Sequence, residues 1–308
     1  MAAPLSVTVV VPTVGRPGLA RLLSALEPTL GPELALEEVL VVANGGVELR
    51  AEGPSELPLR VVPEPRPGAV PARWRGVEEA SGEVVVFLDD DVVPENGCLA
   101  ALLAPIAAGR AEVTGGCVEL DPAVPLPRWL QPPLTGYLSR HVRGAEEHEV
   151  PAGDHVLTAV MAARTELLRC CDGFDPALGP RPGAQITNDD VALCRALRRV
   201  GARIRYVPGA RVVHELPPGR LRRRYIWSRA RWQGHSDWLL ERDRLAARRW
   251  RGATEAGPRL ARAVLANLRR VGRDPGTPTR LVAEAARASG WVAAAHGGGS
   301  HPGRGRCE

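Results

Sequence analysis

Lysine is absent from this chain: all forty basic side chains among its 308 residues are arginine. A composition so rich in Ala, Arg, Gly and Pro points to a GC-rich coding bias as the source, but the gap still has chemical consequences. A GxxxxGK[ST] phosphate cradle needs its lysine, and neither that loop nor the residue to complete it exists here. The six cysteines (Cys98, Cys117, Cys170, Cys171, Cys194, Cys307) form no CxxC pair. The adjacent Cys170 and Cys171 suit neither a disulfide framework nor a zinc site, so a reducing, cytoplasmic setting is the expectation. No apolar run approaches the length of a membrane span. Met1–Ala3 leads almost directly into a strand pattern, so no secretory leader is expected.

What is present is unevenly spread. Residues 220–273 hold sixteen arginines against four acids, a net of +12, which leaves −7 on the rest of a chain whose total is +5. An acidic body therefore carries a basic C-terminal segment. The length suffices for one large domain or two small ones.

In the first half, short apolar runs alternate with helical patterns. Val7–Val11, Val39–Val42, Leu59–Val62 and Val84–Leu88 read as buried strands. Pro17–Leu26, Val70–Ser81 and Gly97–Ala104 read as helices. This alternation predicts an α/β fold with a mostly parallel central sheet covered on both faces, and ligands outside the carboxyl ends of its strands. Residues 121–136, with five prolines, read as a crossing or covering loop. Further on, 157–168 reads as strand then helix, 189–200 as helix, and 204–207 and 210–214 as two short strands. From residue 221 the pattern is helical, and 291–308 reads as a disordered tail.

The fourth strand ends in three consecutive carboxylates, Asp89, Asp90 and Asp91, in EVVVFLDDDVVPE. Adjacent carboxylates raise one another's pKa unless a cation relieves them. A solvated loop is the plainest reading, weakened because the charges close a buried strand. A triphosphatase fails for want of the phosphate loop. The run also fits the DxDx[TV] pattern of haloacid-dehalogenase-like phosphatases, although those carry the motif on the first strand and use a lysine. The remaining reading is a DxD pair holding a divalent cation, Mg²⁺ or Mn²⁺, with positions open to a nucleotide diphosphate.

Six ordered segments favour the last of these and leave the phosphatase as the alternative: VTVVVPTVGRP (7–17), VVANGG (41–46), PRPGAVPARWRGVEEASGEVVVFLDDD (65–91), GFDPALG (173–179), NDDVALCRAL (188–197) and RIRYVPGARVVHE (203–215). Together they resemble a bacterial glycosyltransferase of family 2, over roughly residues 6–240. The resemblance implies a GT-A-like α/β/α sandwich with a C-terminal helical extension. It divides the chain into a nucleotide-sugar half (1–112), an acceptor half (113–218), an Arg/Trp-rich extension (219–290) and the tail (291–308).

It further implies an inverting transfer from a nucleotide-diphosphate sugar to an acceptor hydroxyl. Pro12, Thr13 and Arg16 would line the nucleotide pocket, with Arg73 near the nucleotide. Asp89 would face the ribose and the metal, Asp91 and His214 would bind the metal, and Asp90 would support them. Asp190, second of the Asp189-Asp190 pair, would be the base, while the pair could equally cap a helix. Where such proteins carry a base-reading acid this chain has Ala43, whose side chain accepts no hydrogen bond, so Asn44 or a backbone carbonyl is the substitute. Trp74 stands where an asparagine is usual, and either packs under the sheet or stacks on the base. A member that binds nucleotide or carbohydrate without transferring it is the non-enzymatic alternative.

Residues 220–250 interleave arginines with Trp227, Trp232, Trp238 and Trp250. A helix packed on the acceptor half is the first reading. Peripheral contact with an anionic membrane at the inner face of the cell is the second. Nucleic acid is not expected as a partner, because no binding motif accompanies the charge.

Overall fold

A computed structural model of the chain describes residues 4–26, 34–49, 53–54, 57–246 and 277–296. Strands β1 (Leu5–Thr13), β2 (Leu34–Asn44), β3 (Leu59–Glu64) and β4 (Val84–Leu88) lie parallel in the order β3-β2-β1-β4. The sheet continues through β8 (Val160–Arg164), antiparallel to β4, then β6 (Val113–Leu120), β9 (Ile204–His214) and β5 (Val92–Pro94). The two-residue strand β7 (His148–Glu149) also pairs with β9.

The two-residue period of a strand assigns alternate side chains to opposite cores. Val7, Val9 and Val11 of β1, with Val84, Val86 and Leu88 of β4, meet helices α1 (Gly18–Leu26) and α3 (Cys98–Ala107). Val10, Val85 and Phe87 face the opposite core, against α2 (Ala69–Glu79) and α5 (Asp189–Arg199). Leu22, Leu23 and Leu26 of α1 are almost fully buried, each worth about 1.5–3 kcal/mol of transfer free energy. The result is the three-layer α/β/α sandwich anticipated from the alternation. A short helix, α4 (Thr165–Cys170), follows β8.

Two expectations change. The runs 204–207 and 210–214 are one strand, β9, whose register against β6 slips between Gly116 and Cys117. The slip falls at Pro208-Gly209, where proline has no N–H for the ladder and the strand bulges instead of ending. The C-terminal helix α7 (Thr277–His296) runs past residue 290, where the tail was expected to begin. Trp291, 2% exposed, is buried. Residues 297–308 and Trp250 lie outside the described residues.

The proline-rich stretch after β6 is irregular until a 3₁₀ turn at Leu134–Leu138. Its Leu130, Leu134 and Leu138 form a third core with Ile226 and Ala230 of α6 (Arg223–Ala246) and Ala283 of α7. Helices α6 and α7 pack so closely that a Cβ on Gly234 would collide with the Arg287 carbonyl, and one on Gly290 with that of Arg231. Arg224, Trp227, Ser228 and Arg231 form an exposed face of α6.

Candidate active site

Because β1 and β4 run parallel side by side, the residues that follow them emerge at one edge of the sheet. There Thr13 Oγ1 donates to Asp90 Oδ2 at 2.6 Å and accepts the Gly15 N–H at 3.0 Å. Arg16 Nη1 reaches both Asp90 Oδ1 and Asp91 Oδ2 at 3.1 Å. Asp90 is 4% exposed, and burial pushes its carboxyl up while Thr13 and Arg16 pull it back. The middle aspartate therefore ties the β1 loop to the β4 turn.

Asp89 turns toward α2. Arg73 Nη2 donates to Asp89 Oδ1 at 2.7 Å and Nη1 to Asp189 Oδ2 at 2.8 Å, so one buried guanidinium joins the two acidic motifs across the cleft. Burial, then the neighbouring Asp190, raises the Asp189 carboxyl to about 7, with Arg73 pulling the other way. Asp190 Oδ1 accepts the Thr158 N–H at 2.8 Å and its hydroxyl at 2.6 Å. Asn188 precedes the helix in the left-handed region and makes no side-chain cap bond. Its amide is held instead by Asp237 and Gln233 of α6, at 3.1 and 2.8 Å.

Asp91 faces His214, whose Nε2 lies 3.4 Å from Asp91 Oδ2, and Arg220 reaches both. Burial alone would raise the Asp91 carboxyl, but His214, Arg220 and Arg16 outweigh it and hold it at about 2. Among the described residues no three His, Cys, Asp or Glu side chains converge as an all-protein metal cage. Asp91 and His214 instead offer one carboxylate oxygen and one imidazole nitrogen, and His214 Nδ1 is buried without a partner. A carboxylate beside an imidazole fits a transition ion of the Mn²⁺ type better than the oxygen-seeking Mg²⁺, with phosphate oxygens and water completing its shell. Arg16 and Arg220 supply the counter-charge to Asp91 here.

Pro12, Thr13, Arg16, Asn44, Arg73, Asp89–Asp91, Asp190 and His214 all line one cleft of about 500 Å³. Asn44 does so with its amide engaged: Nδ2 donates to the Arg66 carbonyl at 2.8 Å, and Oδ1 accepts the Gly68 N–H at 2.9 Å. It holds the 66–68 loop that forms a cleft wall. Trp74 packs against Phe174, with centroids 5.3 Å apart, and does not line the cleft. Thr158, Arg220 and Arg229 are among the cleft residues that escaped sequence reasoning. Thr158 had a faint signal, a hydroxyl inside an apolar run; the arginines had none within a segment crowded with them.

The family model described as "Glycosyltransferase like family 2" matches residues 4–235. The chain belongs to this family. As a glycosyltransferase-family domain it is similar to the pre-mycofactocin glycosyltransferase of Mycobacterium tuberculosis (strain CDC 1551 / Oshkosh), 30% identical over 161 residues. That match covers 48% of this chain but only 30% of the relative's length. The fold resembles the mannosyltransferase PcManGT from Pyrobaculum calidifontis, solved in complex with GDP-Man and Mn²⁺. The TM-score is 0.50 at 18% identity, over 96% of this chain and 76% of that one. The glycosyltransferase fold is GT-A-like, and membership in this family removes the ground for the phosphatase reading.

Proposed function

We propose that the chain is an inverting glycosyltransferase, moving a sugar from a nucleotide diphosphate to an acceptor hydroxyl with Asp190 as general base. One observation carries this reading. Asp190 lines both the cleft of Asp89–Asp91 and a second cavity that adjoins it, so one carboxylate is common to two binding spaces. The donor occupies the first, which residues 1–112 share with residues 139–229, and the acceptor enters from 113–218 and beyond. Asp190 takes the proton as the acceptor oxygen bonds to the anomeric carbon. The bond from that carbon to the diphosphate oxygen breaks, and the nucleoside diphosphate leaves with the electron pair. Thr158 fixes the orientation of the base through its two hydrogen bonds to Oδ1. Asp91 and His214 would hold the divalent cation, with Asp89, bound by Arg73, the further carboxylate of the motif, and the cation would supply positive charge for the departing diphosphate. Arg16 and Arg220 are the chain's own cations at that place. The name of the similar mannosyltransferase, with GDP-Man and Mn²⁺, accords with this donor chemistry. With Ala43 at the base-reading position, base choice falls to backbone groups.

The test is a pair of substitutions. Asp190→Asn should bind donor nucleotide like the wild type while transfer falls by about 10²–10⁴-fold, the range of a general base. Asp91→Ala should instead lose metal-dependent nucleotide binding. Wild-type turnover by Asp190→Asn would sink the base assignment. The exposed basic face of α6 is the surface we assign to peripheral contact with anionic lipid.

A further inference from the structure

Beyond Asp190 the second cavity holds about 550 Å³ between the proline-rich segment, α6 and α7. Helix α7, which supplies Arg280, Glu284 and Arg287 to it, lies beyond the residues matched by the family model. With Arg140 and Arg229 the cavity has four arginines facing two carboxylates, Glu284 and Asp190. His141 and His155 add no charge at neutral pH. Burial and then Arg143 push His141 down to about 3, and burial lowers His155 as well.

The arginines are not equivalent. Arg140 forms a two-pronged bond with Glu119 at 2.9 and 3.0 Å, and Arg287 pairs with Asp237 at 2.7 Å. Arg229 donates Nη1 to the Gln185 carbonyl at 2.8 Å, and among the described residues no carboxylate lies within ion-pair distance of it. A half-buried guanidinium without an anion is costly unless something else supplies the charge. Arg229 and Asp190 line both spaces, so one molecule can present a hydroxyl to the carboxylate and an anion to the guanidinium.

We propose that the second cavity takes an acceptor bearing an anionic group, a carboxylate or a phosphate, gripped by Arg229 and walled by α7. The inference rests on the transferase reading of the cleft. Arg229 has the fork geometry that binds such groups through two parallel hydrogen bonds, and the neighbouring carboxylates Glu119 and Asp237 do not take up its charge.

The test uses full-length protein saturated with the nucleotide diphosphate that stabilises it most, so that the donor phosphate site is filled. Saturation-transfer NMR then compares methyl β-D-glucuronide with methyl β-D-glucoside, and glucose 6-phosphate with glucose. At least one charged probe should bind about tenfold or more tightly than its neutral twin, as a charge-assisted bond to a shielded arginine provides. The glucuronide and phosphate arms show which anion is preferred. Arg229→Gln should erase the preference. If that variant unfolds early, Arg229→Lys should keep the charge preference but weaken it severalfold through loss of the fork.

Equal binding within both pairs, no binding by any probe, or a preference that survives Arg229→Gln would overturn the proposal. A protein indifferent to every nucleotide that still selects charged probes through Arg229 would keep the anion site and overturn the transferase reading instead.

Discussion

Arg73 is the residue whose removal most sharply probes how the cleft is held together. Its side chain is 6% exposed and bridges Asp89, 31% exposed, to Asp189, 11% exposed. Arg73→Met keeps the stem and removes the charge. Asp89, which water can reach, should contribute less than about 1 kcal/mol to the loss. The buried partner decides the rest, and its effect depends on pH. Asp189 already sits at about 7 because burial and Asp190 raise it, and losing Arg73 raises it further. Below that value Asp189 is protonated in both folded proteins, so the variant loses little through it. Above it the wild type ionises Asp189 against Arg73 while the variant must keep the proton. The deficit then grows by about 1.4 kcal/mol per pH unit, up to the roughly 3–5 kcal/mol of a broken buried pair. Urea unfolding at pH 5, 7 and 9 measures this: a small loss at pH 5 and about 3 kcal/mol at pH 9. An equal loss at pH 5 and pH 9, or a smaller one at pH 9, would refute the bridge as the source of stability.

Asp189→Asn tests the same pair from the other side. A carboxyl raised in the folded state stabilises fully below its unfolded value of about 4, and that stability is lost as pH rises through about 7. The amide variant should therefore gain on the wild type by up to about 1.4 kcal/mol per pH unit across that window, and show no gain below it. Parallel denaturation curves check this, and a gain that persists at pH 3 would contradict it. For α6, flotation with anionic vesicles should carry the protein upward at low salt and release it at high salt, because exposed charge is screened. Failure to float with vesicles at low salt would retire the lipid surface.

The strand ends were legible because their signals are local. Three aspartates closing a buried valine run, Pro12-Thr13 closing another and two carboxylates opening a helix all declare themselves within a few residues. The alternation that predicted the layers worked for the same reason: side-chain period alone assigns Val9 and Val10 to different cores. What stayed hidden depends on distant partners. Thr158 matters because Asp190, 32 residues away, turns its carboxylate to it. Asn44 spends both ends of its amide on a loop 22–24 residues onward, which its place at a strand end does not announce. Arg220 and Arg229 differ from neighbouring arginines only in where the chain carries them. The second strand half of β9 looked separate because Pro208 interrupts the pattern, whereas the sheet absorbs it as a bulge.

Metal-dependent nucleotide binding in the cleft is tested most directly by thermal unfolding of the wild-type protein with a panel of nucleoside diphosphates, each with and without Mn²⁺. Binding at a hundredfold over Kd adds about 2.7 kcal/mol, which raises the midpoint by several degrees for a protein of this size. Such a rise is expected for at least one nucleotide, only when metal and nucleotide are present together, and it should be lost in Asp91→Ala. A midpoint unmoved by every nucleotide with Mn²⁺, or moved equally in Asp91→Ala, would contradict it.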